Sequence, residues 1–230
     1  MLSLASFDIC SYLKAIKGLI RHIFLGLFVF LGYEASSQLY FGVKGAYSIP
    51  FNSPQEIKYD DFQDFLIYRV NFIERDATPT LSILGYYRSD WIYFQLEAGY
   101  KRVKTRFIAD NYFDLENITK TENTKTTHSL DFPIIAGLRL EQFKLGFGPT
   151  FSFILKENPI FQDIEFFEER RNRLETGFAF HFGVVLYRFH IDLSYHYRFN
   201  GVGDYLYWRQ AYRGFSQPVQ YLDLGFALVF

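Results

Sequence analysis

From Gln38 onward, apolar side chains recur at every second position in segments of about ten residues, and this period of two constrains the fold more than any other feature. The contrast is cleanest where Ile92, Phe94, Leu96, Ala98 and Tyr100 alternate with Tyr93, Gln95, Glu97, Gly99 and Lys101. Equivalent apolar series run through Leu39 to Tyr47, Leu81 to Tyr87, Leu130 to Leu140, Phe143 to Phe153, Leu174 to Leu186, Phe189 to Tyr197 and Leu222 to Phe230. A helix would need its apolar positions three and four apart. The pattern therefore predicts an all-β chain of about eight antiparallel strands.

The connections sort into two kinds. Ser89-Asp90, Glu141-Gln142 and Tyr187-Arg188 are tight turns, whereas 49–78, 104–127, 154–173 and 199–217 are long and polar. An even number of strands leaves both chain termini on the short-turn, periplasmic side and lets the first strand pair with the last. Ten strands result if residues 62–74 add a hairpin. Opposite the greasy stripes stand small residues, Gly42, Ala46, Gly99, Gly146, Gly148, Gly183 and Gly225, together with many charges. A soluble sandwich or barrel would have to enclose dozens of large apolar side chains, and an eight-strand interior is too narrow for them. Turned outward, the same side chains meet lipid, and ten residues suffice for a tilted strand to cross the hydrocarbon layer. The expected fold is a transmembrane up-and-down antiparallel β-barrel. Tyr87, Trp91, Phe143, Tyr187, Phe189 and Phe230 gather near the short turns as an interfacial girdle would.

Ahead of the strands lies an address. Lys14, Lys17, Arg21 and His22 precede the apolar run Ile23 to Leu31, and the small residues Ala35, Ser36 and Ser37 follow. This order predicts a signal peptide over 1–37, cleaved after Ser37, with the barrel domain over 38–230. The apolar run is far shorter than the roughly 20 residues a spanning helix needs. The single cysteine, Cys10, precedes that run, which argues against a lipoprotein and leaves the mature chain without disulfides or a cysteine metal site. Aromatic residues reach 21%, with 28 Phe and 18 Tyr, as suits strands. The net charge of −1 is spread along the chain, so no nucleic-acid partner is expected.

The alternation turns a set of charges inward: Lys44, Arg88, Lys101, Arg139, Lys144 and Arg198 against Glu97, Asp131, Glu175, Asp192 and Asp223, with His181, His190 and His196 among them. The two signs nearly balance, and mutual pairing is the way to hold charges in so narrow a space. A plugged, structural lumen is the main reading, and a small diffusion channel is the alternative. His190, Asp192, Ser194 and His196 supply the residue types of acyl-transfer chemistry, so a lipid A-modifying acyl hydrolase or transferase is the remaining, less favoured reading. No third close ligand supports a metal at these histidines, and no cofactor or catalytic residue is assigned.

The long connections are the expected place of recognition. Residues 49–78 carry Glu56, Asp60, Asp61, Asp64, Glu74 and Asp76 beside Phe62, Phe65, Leu66 and Ile67. In 199–217, Tyr205, Tyr207, Trp208, Arg209 and Tyr212 are the binding candidates, with Arg213 and Phe215 nearby.

The last strand ends on Phe230 with apolar residues at alternate positions, which resembles the C-terminal signal of bacterial outer-membrane barrels read by their insertion machinery. The start Gln38-Leu39-Tyr40-Phe41-Gly42-Val43-Lys44-Gly45, the run Leu130-Asp131-Phe132-Pro133-Ile134 and the pair Gly148-Pro149 resemble the PorT-like outer-membrane β-barrel domain family. The resemblance implies a bacterial outer-membrane protein that touches outer-membrane lipid and the insertion machinery. Family members differ in function, so the resemblance speaks to fold rather than activity; the expected role is a non-enzymatic scaffold or binding protein in envelope secretion or assembly, with an unidentified envelope or extracellular partner.

Overall fold

A computed structural model describes residues 38–51, 55–60, 66–112, 119–158, 167–170, 172–201, 205–208, 211–214 and 218–230. The expected signal peptide and Cys10 lie outside these residues. In chain order the strands are β1 (Gln38–Pro50), β2 (Gln55–Asp60), β3 (Leu66–Arg75), β4 (Thr78–Arg88), β5 (Ile92–Asn111), β6 (Thr119–Leu140) and β7 (Phe143–Glu157). After them come β8 (Phe167–Arg170), β9 (Leu174–Leu186), β10 (Phe189–Gly201), β11 (Tyr205–Trp208), β12 (Ala211–Gly214) and β13 (Pro218–Val229). The described residues contain no helix.

Eight of these strands close into a ring, β1-β4-β5-β6-β7-β9-β10-β13, and β13 pairs antiparallel with β1, Gly45 standing opposite Phe226. The expected up-and-down barrel with first and last strands joined is present. Its polarity is the expected one as well. On the outer face Leu81 is 70% exposed and Phe147 67%, while on the inner face Gln95 and Lys144 are fully enclosed. An apolar surface that encircles a charged interior is stable only in an apolar solvent, which is the situation of a membrane barrel. Two of the short turns are two residues long, and Glu141 and Tyr187 take positive φ angles of 54° and 61° to reverse the chain. Trp91, Tyr187 and Phe230 are exposed at this end.

The long connections differ from the expectation. Residues 104–127 are mostly strand: β5 and β6 continue as one hairpin of 20 and 22 residues, paired as far as Asn111 and Thr119. β3 adds to the free side of the β5 extension, with Phe72 opposite Phe107, and β2 adds to β3, giving a ten-stranded sheet around the eight-strand ring. Here the polarity inverts. Val103, Phe107 and Ala109 turn inward with Val70, Phe72 and Ile57, while Arg102, Lys104 and Arg106 turn outward. Above the apolar belt the chain is an ordinary protein with water outside, so the hydrophobic effect places its apolar face in the interior. The Phe72 and Phe107 rings meet edge to face at 5.9 Å inside this small core.

Where β7 ends, Asn158 finishes the ladder with its side chain. Its amide nitrogen donates to the Thr124 carbonyl at 3.0 Å, and its side-chain oxygen accepts from the Thr126 amide at 2.5 Å. The carboxamide thus imitates one more peptide unit and satisfies backbone groups of β6 that would otherwise open an edge. Residues 199–217 are not a simple loop either: β11 runs between β8 and β12 in a separate three-stranded sheet.

Candidate functional site: the charged lumen

Each strand of the ring contributes alternate residues to one enclosed column. At the short-turn end the column is filled by Leu84, Tyr86, Tyr93, Ile135, Ala179, Ala227 and Val229, against which Tyr40 packs. Two groups of charges share the column with these side chains, the His190 ring lying 4.9 Å from that of Tyr86 and Lys144 Nζ 5.2 Å from the same ring.

The first is centred on Asp192 of β10. Lys144 Nζ from β7 stands 3.0 Å from its Oδ1, and Lys44 Nζ from β1 stands 3.5 Å from its Oδ2. Lys44 also pairs with Glu97 of β5 at 2.8 Å. Gln95 joins the two lysines: its Nε2 donates to Glu97 at 2.6 Å and its Oε1 accepts from Lys144 at 3.2 Å. The histidines flank this group, with Lys144 Nζ 3.3 Å from His190 Nδ1 and His181 Nε2 3.4 Å from Asp192 Oδ1.

The second group is centred on Arg198, whose guanidinium bridges Asp131 at 2.9 Å, Glu175 and the Tyr221 hydroxyl at 3.1 Å. Ser129 and Ser152 donate to the same Asp131 oxygen. Beside it, Asp223 lies 3.9 Å from Lys101 and 3.4 Å from His196. The Tyr221 ring is sandwiched, with His196 stacked on it at 4.5 Å and Lys101 Nζ 3.7 Å from its centre.

The inward glycines make this possible. A Cβ at Gly183 would stand 2.6 Å from Asp192 Oδ1 and 2.7 Å from Lys144 Cε, and one at Gly225 would stand 2.5 Å from Lys44 Cε. The small residues of the inner face are where long charged side chains lie flat across the barrel.

Twelve of the fourteen expected lumen residues join these two groups; Arg88 and Arg139 do not. Arg139 is turned to the short-turn rim, where its Nε donates to the Glu141 carbonyl at 3.0 Å. Arg88 lines a hollow at the same mouth with Tyr86, Arg188 and Phe230. Both lie on the last inward positions before a turn, beyond the reach of the carboxylates. Gln95 and Tyr221 were missed as network members, because neither bears a charge; their place on the same inward stripe was the available signal.

His190, Asp192, Ser194 and His196 all point inward, yet they do not act on one another as a local motif. Ser194 Oγ instead lies 3.0 Å from Nδ1 of His181 on the neighbouring strand, whose other nitrogen faces Asp192. A serine, histidine and aspartate are thereby in line, but Ser194 is 4% exposed and the adjoining cavity of about 30 Å³ has room for little more than a water. Among the described residues no three His, Cys, Asp or Glu side chains converge as metal ligands. Of the loop binding candidates, Arg209 lies outside the described residues, Tyr205, Tyr207 and Trp208 belong to β11, and Tyr212 belongs to β12. In the acidic stretch Asp61, Phe62, Asp64 and Phe65 lie outside the described residues, while Glu56 pairs with Arg69 at 2.9 Å.

No family model matches the chain, and no curated protein matches it. Among solved structures it is similar to the crystal structure of Neisserial surface protein A (NspA), at 11% identity and a TM-score of 0.30, over 84% of this chain and 99% of that one. The PorT-like resemblance rests on the short motifs quoted above.

Proposed function

We propose that this chain is an integral outer-membrane β-barrel of scaffold or binding type, without catalytic activity, whose closed lumen is structural. The observation that carries the reading is the polarity of the ring: an apolar exterior around an interior whose buried charges are paired with one another. The PorT-like motifs and the alternate apolar positions of β13 support insertion by the outer-membrane assembly machinery and a place in envelope secretion or assembly. Recognition of an envelope or extracellular partner then falls to the strands beyond the long-connection end, which stand clear of lipid.

The test is migration of the purified chain on a gel with and without boiling, joined to recordings in planar bilayers. A folded barrel migrates differently before boiling and stays in solution only with detergent. A chain that remains soluble and monomeric without detergent removes the membrane reading. Bilayers holding the folded protein should show no steady current, because the space between the two charge groups amounts to about 30 Å³. Large, stable conductance would replace the scaffold with a diffusion channel.

A further inference from the structure

Around the ring the outward apolar belt ends differently from strand to strand at the long-connection end. β1 runs out on Tyr47, Ile49 and Phe51, and β10 ends on Phe199, all exposed. On β5 the belt stops at Tyr100, and the next outward positions are Arg102, Lys104 and Arg106. The register sets Arg102 opposite His128 on β6 and His128 opposite Lys156 on β7. The adjoining row is Tyr100, Leu130 and Phe153, paired across the same three strands. A row of basic side chains therefore lies two residues, about 7 Å along the strand, beyond a row of lipid-facing ones. Tyr100 ties the two rows together, its hydroxyl 2.5 Å from His128 Nδ1.

Acidic neighbours do not neutralise this face. Glu74 pairs with Arg106, and Asp76 lies 4.0 Å from the same guanidinium. Glu122 stands farther out, opposite Ile108. Among the described residues Arg102, Lys104 and Lys156 have no carboxylate at ion-pairing distance, and all three are exposed. Beside β4, Arg102, Lys104, Tyr100 and Leu81 line an open hollow of about 640 Å³, which Asp76 also borders. Its one side is apolar and at belt depth; its other side is cationic and just above.

We propose that this face of β5, β6 and β7 binds the phosphate groups of membrane lipids in the leaflet at the long-connection end, an acyl chain lying along Leu81 and Tyr100. The proposal rests on the membrane reading above. Depth selects the occupant: the cations sit where head groups of a bilayer centred on the apolar belt must lie, so a lipid brings phosphate and acyl chain to the hollow together.

The full chain folded into phosphatidylcholine vesicles, with or without phosphatidic acid, tests this by counting the lipids that stay bound in mild detergent, by mass spectrometry. The wild type should retain phosphatidic acid over phosphatidylcholine, and the triple variant R102Q/K104Q/K156Q should lose that enrichment by about fivefold for each charge removed. Arg188→Gln, at the opposite end, should leave it intact. Equal retention of the two lipids by the wild type, undiminished enrichment in the triple variant, or an equal loss in Arg188→Gln overturns the assignment. So does binding of polyglutamate in place of lipid, which would mark a face for an acidic protein. If the triple variant does not insert, Lys156→Gln alone should still lower the enrichment. Failure of the wild type to insert into pure phosphatidylcholine defeats the membrane reading itself, whereas insertion without phosphatidic acid preference defeats only this one.

Discussion

Lys144 and Asp192 meet at 3.0 Å with side chains 0% and 1% exposed, and Asp192 is at the same time the partner of Lys44. Removing the carboxylate leaves the buried Lys144 ammonium without a counter-charge and Lys44 with Glu97 alone, and deleting one member of a buried pair costs about 3–5 kcal/mol. Asp192→Ala should therefore lower the urea midpoint of the folded barrel sharply. The double variant D192L/K144M, which removes charge from both sides, should recover part of that loss. A single variant as stable as the wild type would show that the pair is hydrated and contributes little.

Backbone proximity makes a second prediction. A Cβ at Gly148 would stand 1.9 Å from the Ile134 carbonyl oxygen, whereas one at Gly45 meets nothing within 4 Å. Gly148→Ala should accumulate as unfolded chain that migrates alike with and without boiling. Gly45→Ala, on the outer face, should fold normally, with stability within about 0.5 kcal/mol of the wild type. Normal folding of Gly148→Ala would mean that β6 and β7 separate more readily than their pairing implies.

The alignment of Ser194, His181 and Asp192 gives a third. If the lumen is structural, Ser194→Ala removes only a buried hydrogen bond and costs about 1 kcal/mol of stability. Lipid A from cells carrying the variant should have the same acyl pattern, by mass spectrometry, as lipid A from cells with the wild type and from cells without the gene. An acyl change present with the wild type and absent with Ser194→Ala would establish an enzyme.

The fourth concerns the strands past the long-connection end. Replacing residues 203–213 by a short turn removes β11 and β12 but touches none of the eight ring strands. The trimmed protein should show unchanged heat-modifiable migration and lose the biological phenotype of the gene. Normal insertion with the phenotype retained would place recognition elsewhere, in β2 and β3 first.

Period-two alternation is a local property, written into each ten-residue stretch, and it was enough to assign the inward and outward residues of every ring strand. Parity and turn length followed from the same reading, and so did closure of β13 on β1. The sequence could not say that 104–127 continues as strand. The alternation of Val103, Lys104, Thr105, Arg106 and Phe107 was visible, but above Lys101 its sense reverses, and that reversal depends on where lipid gives way to water. The charges were legible as a set; their partners were not. Asp192 draws Lys44 and Lys144 from two other strands, and Arg88 and Arg139, equally inward by alternation, stay at the rim. Which cation reaches which carboxylate depends on strand stagger and on the space left by Gly183 and Gly225, and only closing the ring establishes those distances.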